Sequence, residues 1–82
     1  MSWRDKLREE IVKSLSGFTW CEKPSAAYYK GTVVVRWSNG DNYHTSWFSE
    51  PDMMHQDTES KINTVVQKVV ETTLYLKKYY KY

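Results

Sequence analysis

Near the start of the chain the apolar residues Trp3, Leu7, Ile11, Val12 and Leu15 recur at steps of three and four. Arg4, Lys6, Arg8, Glu9, Glu10 and Lys13 fill the positions between them. That period is helical and predicts an amphipathic helix over 3–16. Ser2 stands where an N-cap is needed, Asp5 follows three residues on as a reciprocal partner, and Gly17 offers a left-handed exit. From Phe18 to Lys23 the pattern changes to alternation, Phe18 and Trp20 against Thr19 and Cys21. This predicts a short strand ended by Pro24, with Ser25, Ala26 and Ala27 as a connector.

The strongest local signal comes next. Two β-rich runs, Tyr28 to Trp37 and Asp41 to Phe48, flank Ser38-Asn39-Gly40, and an Asn-Gly pair between such runs marks a hairpin. A three-residue loop over Ser38, Asn39 and Gly40, with Gly40 left-handed, pairs Trp37 with Asp41, Val35 with Tyr43 and Val33 with Thr45. One face then collects Val33, Val35, Trp37, Tyr43, Thr45 and Trp47. The other collects Thr32, Val34, Arg36, Asn42, His44 and Ser46. A two-residue loop on Asn39 and Gly40 mixes apolar and polar positions on both faces, so the three-residue loop is expected. Gly31 is expected to be a bulge in the first of these runs.

Residues 49–56 have no period and contain Pro51, which predicts a loop. Asp57 or Thr58 then caps a second helix. Its stripe is Ile62, Val65, Val66, Val69, Val70, Thr73, Leu74 and Leu76, opposite Asn63, Gln67, Lys68 and Glu71. The β-branched content favours a strand, but apolar pairs separated by polar pairs cannot alternate across a sheet. The helix is expected to reach about residue 80, where Lys77, Lys78 and Lys81 complement the negative end of its dipole. The order helix, strand, strand, strand, helix predicts one α+β domain over 1–82. It is a two-layer αβββα arrangement in which both helices cover one face of a three-stranded antiparallel meander and the other face meets solvent.

Composition narrows the class. The 82 residues are 40% hydrophobic and 16% aromatic, enough for a globular core and outside the composition of disordered chains. A net charge of +2 falls short of the strongly basic balance that marks a nucleic-acid binder by itself. Glu50, Asp52, Asp57 and Glu59 form an acidic segment, and the basic residues gather at the end. The single Cys21 has no internal disulfide partner, the first residues hold no apolar leader, and no stretch approaches the ~20 apolar residues of a membrane span. A soluble cytoplasmic protein is expected.

The chemistry-bearing inventory is thin. Cys21, His44 and His55 are the only thiol or imidazole groups, at no zinc-site spacing, and no catalytic or phosphate motif is present. Cys21 and His44 would need adjacent strands and a third, orienting group to act as nucleophile and base, and Cys21 reads instead as a small buried hydrophobe. No enzyme activity, metal or cofactor is expected. Candidate binding residues are Tyr28, Lys30, Arg36 and His44 on the outer sheet face. Lys61 and the tail residues Lys77, Lys78 and Lys81, interleaved with tyrosines, are the others. The tail has a plainer reading, a helix end that buries Tyr79 and Tyr80 while its lysines stay wet.

The element order resembles the layout of the double-stranded RNA-binding domain. Where that family has a Gly-Pro-x-His turn this chain has Lys23-Pro24-Ser25-Ala26. Where it opens its last helix on a lysine cluster this chain has Ser60-Lys61-Ile62-Asn63, so the resemblance implies a phosphate contact for Lys61 alone. The order also looks like that of small phage-encoded inhibitors of host defence enzymes. The first expectation is a non-catalytic binding protein acting by surface contacts on a protein partner, an accessory or inhibitory factor of phage or mobile-element type, monomeric or a small homo-oligomer. The alternative is a nucleic-acid-binding module. With no metal site expected, addition of a chelator should leave the melting temperature unchanged, and a fall would point to Cys21 and His44 as ligands.

Overall fold

The computed structural model describes residues 2–50 and 57–80. In chain order it contains α1 (Trp3–Ser16), β1 (Glu22–Tyr29), β2 (Thr32–Asn39), β3 (Asn42–Ser49) and α2 (Thr58–Tyr80). The three strands form one antiparallel sheet in the order β1-β2-β3. Both helices lie against one face of it, which gives the expected two-layer α+β arrangement. The part of the expected loop that covers residues 51–56, His55 among them, lies outside the described residues.

Each helix begins as its sequence implies. The Ser2 hydroxyl accepts a hydrogen bond from the Asp5 backbone N–H at 3.3 Å, and the Asp57 carboxylate accepts one from the Ser60 N–H at 2.7 Å, so free donors at both N-termini are satisfied. The exit of α1 differs from expectation. Gly17 is right-handed, with φ −71°, and its N–H closes a tight turn on the Ser14 carbonyl. Leu7, Ile11 and Leu15 from α1 and Ile62, Val65 and Val69 from α2 are buried together with Val33, Val35, Trp37 and Phe48 from the sheet. Leu74 does not join the α2 stripe; it is 45% exposed on the opposite side of the helix.

The strand boundaries shift relative to the sequence reading. Phe18 to Cys21 is a turn, closed by the Cys21 N–H on the Phe18 carbonyl at 3.1 Å, and β1 starts only at Glu22 and runs through Pro24 to Tyr29. Ser25, Ala26 and Ala27 are therefore strand, not connector. Pro24 is tolerated because β1 is an edge strand and because Lys23 and Pro24 form a bulge, two residues lying opposite Trp37 alone. Gly31 is not a bulge. It is the second residue of a Lys30-Gly31 turn in which both residues have positive φ, 49° and 72°, the type I′ geometry that suits a two-residue hairpin.

The second hairpin corrects the expected register. Asn39 pairs with Asn42, leaving Gly40 and Asp41 as a two-residue loop. Gly40 has φ 61° and Asp41 has no positive φ, as in a type II′ turn with Gly at its first central position. Trp37 therefore pairs with His44, Val35 with Ser46 and Val33 with Phe48. His44 and Ser46 face the helices, while Tyr43, Thr45 and Trp47 face out. The parity of β3 is poorly specified by its sequence because aromatic or imidazole side chains stand at adjacent positions, Tyr43-His44 and Trp47-Phe48. The turn chemistry and the fit of Phe48 into the core decide it.

The two tryptophans in the hairpin report this register directly, since Trp37 is 1% exposed and Trp47 58%. Trp37→Ala should cost about 3–5 kcal/mol by urea denaturation, whereas Trp47→Ala should cost less than about 1 kcal/mol. Equal losses would restore the three-residue loop.

Candidate functional site

Alternation along the sheet leaves Ser25, Ala27 and Tyr29 of β1, Val34 and Arg36 of β2, and Thr45 and Trp47 of β3 on the face away from the helices. Two large aromatics stand on it in the open. Tyr29 and Trp47 lie diagonally across β2 and meet edge to face, with ring centroids 6.2 Å apart. Their rings cover Val34, which is buried although it points outward. Together with Ser25, Ala27, Tyr28 and Arg36 they line a recess of about 480 Å³ with no carboxylate among the described residues of its wall. The Lys30 ammonium sits 5.4 Å from the Tyr29 ring at the turn end. The recess thus has an apolar floor, aromatic walls and cationic groups near both ends, the composition of a site that holds an apolar group beside an anionic one.

A larger hollow of about 650 Å³ lies between α1 and the start of β1. Four charged side chains of both signs line it, Asp5, Arg8, Glu9 and Lys13, and Asp5 is ion-paired with Arg8. Its lining is mainly the solvated side of a helix, so the smaller aromatic recess is the better candidate.

The residues singled out from the sequence fall in different places. Arg36 is exposed on the outer face as expected, and Lys30 occupies the turn beside it. Tyr28 does not belong to that face. Because the turn at Lys30-Gly31 separates it from β2, it pairs with Val33 and points toward the helices. There its hydroxyl donates to the Arg4 carbonyl at 3.1 Å, and burial, reinforced by the nearby Glu50 carboxylate, pushes its pKa up to about 12. His44 is likewise on the inner face, stacked on Trp37 at 4.3 Å between centroids, and burial lowers its pKa from the ordinary 6.5. Lys61 is 2% exposed in the wall of the core, so the phosphate contact implied by the resemblance has no surface from which to act.

The tail is divided. Lys77 is half-buried, its ammonium 5.0 Å from the Trp20 ring centroid, while Lys78 is exposed and Lys81 lies outside the described residues. Tyr79 is exposed and not buried. Tyr29 and Trp47 were not singled out from the sequence. The signal that could have found them is adjacency: in Tyr28-Tyr29 and in Trp47-Phe48 one ring of each pair must leave the core of a two-layer domain.

Among the described residues no cluster of three or more His, Cys, Asp or Glu side chains is placed to hold a metal ion, and no helix is long and apolar enough to cross a membrane. Comparison with protein-family models, curated proteins and solved structures finds no match to this chain.

Cys21 is buried where the turn meets β1, and desolvation pushes its pKa from the ordinary 9.0 up to about 11. The folded thiol stays protonated where the unfolded one begins to ionise. Its contribution to stability is fully present below pH 9.0 and is lost as the pH rises toward about 11. Ellman's reagent at pH 8 should react with the native protein at least about a hundredfold more slowly than with the urea-unfolded chain. Equal rates would mean an accessible, ionised thiol.

Proposed function

We propose that this chain is a non-catalytic binding protein that docks a protein partner on its outer sheet face, with the Tyr29–Trp47 recess as the anchor pocket. The observation that carries the reading is the exposure of two large aromatics around a covered Val34, with Arg36 in the same wall. Trp, Tyr and Arg dominate the energetics of protein interfaces, and anchors seated in pockets surrounded by near-neutral contacts supply most of the binding free energy. A single cysteine kept as a thiol suits the cytoplasm. A small domain whose described residues hold no metal-binding cluster suits an accessory or inhibitory role of the kind that phages and mobile elements use.

A second reading has an observation of its own. Tyr29 and Trp47 with Lys30 and Arg36 also form a platform on which the bases of a single strand can stack. Salt dependence separates the two. Protein docking on aromatic anchors depends modestly on salt, whereas log affinity for nucleic acid falls steeply with log salt.

The test is a comparison of variants in affinity capture from the native cell, with and without nuclease. Trp47→Ala and Arg36→Ala should each weaken retention of the partner at least about tenfold, and replacement of Lys77, Lys78 and Lys81 by Ala should change it less than about twofold. Retention that vanishes with nuclease, or that follows the tail lysines and not Trp47, would overturn the reading.

A further inference from the structure

The face of α2 turned away from the core carries exposed apolar surface. Leu74 is 45% exposed and Tyr75 58%, and Tyr75 stacks on Tyr79 with centroids 5.4 Å apart. Ile62, Val65, Val69 and Thr73 occupy the opposite, buried side. Glu71 and Lys78 lie seven residues apart, two helical turns, and so project from the same stripe with Leu74 and Tyr75 between them. The Glu71 carboxylate accepts a hydrogen bond from the neutral Gln67 amide at 3.2 Å.

This stripe is complementary to itself under a two-fold rotation. If the axis passes between Leu74 and Tyr75, an antiparallel second helix sets Glu71 opposite Lys78 of the other copy and Lys78 opposite its Glu71, and brings Leu74 on one flank of the stripe against the other copy's Leu74 and Tyr75 on the other flank against its Tyr75. Such reciprocity, residue i meeting j while j meets i, is what a closed symmetric dimer requires. A parallel pairing sets Glu71 against Glu71 and Lys78 against Lys78, which is repulsive at both ends. Antiparallel packing also opposes the two helix dipoles.

We propose that α2 is a self-association surface and that its occupant is a second copy of this chain, paired antiparallel through Glu71, Leu74, Tyr75 and Lys78. The outer sheet face lies on the other layer, so the dimer leaves the Tyr29–Trp47 recess open on each copy. The contact spans about two helical turns, which makes it small beside the ~1,600 Å² of a standard interface, and the dimer is accordingly a weak one.

Sedimentation equilibrium of the full chain over about two decades of micromolar concentration tests for a weak dimer. The native protein should shift from monomer to dimer. Glu71→Lys or Lys78→Glu alone should weaken the dimer at least about tenfold, because each change creates two like-charge contacts. An equimolar mixture of the two variants, or both changes in one chain, should restore it. Leu74→Ser should weaken it as well, and circular dichroism should show every variant folded, since all these positions are exposed. A native protein that stays monomeric throughout would overturn the proposal, as would single reversals without effect. A mixture that fails to reassociate would overturn the antiparallel pairing, and a monomer that instead co-floats with anionic phosphatidylserine vesicles would assign the stripe to a membrane surface.

Discussion

The indole of Trp37 lies edge-on to Trp20, 5.3 Å between centroids, and face to face with His44, and this contact ties the turn after α1 to β2 and β3. Phe18 stacks on Trp20 with centroids 5.0 Å apart, and the Lys77 ammonium of α2 lies 5.0 Å from the Trp20 ring centroid. The column therefore gathers α1's exit, two strands and the last turns of α2 around one buried side chain. Its geometry allows little slack. A slip of one position in β2 would send Trp37 to solvent and reverse the face of every neighbour, which is why the bulge of Lys23 and Pro24 opposite Trp37 matters: it lets an edge strand containing proline keep its pairing on both sides of the ring.

At the other end of the sheet a polar clasp performs the same service. Arg4 is ion-paired with Glu50 at 2.6 Å and lies over the rings of Trp3 and Tyr28, while the Glu50 N–H donates to the Gly31 carbonyl at 3.0 Å. The start of α1, the first hairpin turn and the end of β3 meet there. A domain of this size buries a modest fraction of its surface, so aromatic area and contacts between distant segments supply what a larger core would.

Filling one face of the sheet so completely has a consequence on the other. β1 and β3 each present two neighbouring large side chains, Tyr28-Tyr29 and Trp47-Phe48, and the inner layer takes Tyr28 and Phe48. Tyr29 and Trp47 are left outside, where they lean on each other and on Val34 and shape the recess beside Arg36. The candidate site is thus the complement of the core packing.

Periodicity and capping residues determined the two helices, the bounds of α1 with its Ser2 cap, the start of α2 at Asp57 or Thr58 and its length, the element order and the two-layer class. These depend on interactions within a few residues, which a sequence displays directly. The bounds of β1 were not among them, since it formed over Glu22–Tyr29 and not over 18–23. Facing and register were decided by tertiary structure. Tyr28, His44 and Trp47 exchanged sides because the hairpin turns formed at Lys30-Gly31 and Gly40-Asp41, and a shift of one residue in a turn inverts every side chain beyond it. Lys61 went inside and Leu74 outside for a related reason: helical spacing marks a stripe only to within about a residue, and the partners packed against its margins decide which flanking side chains are covered.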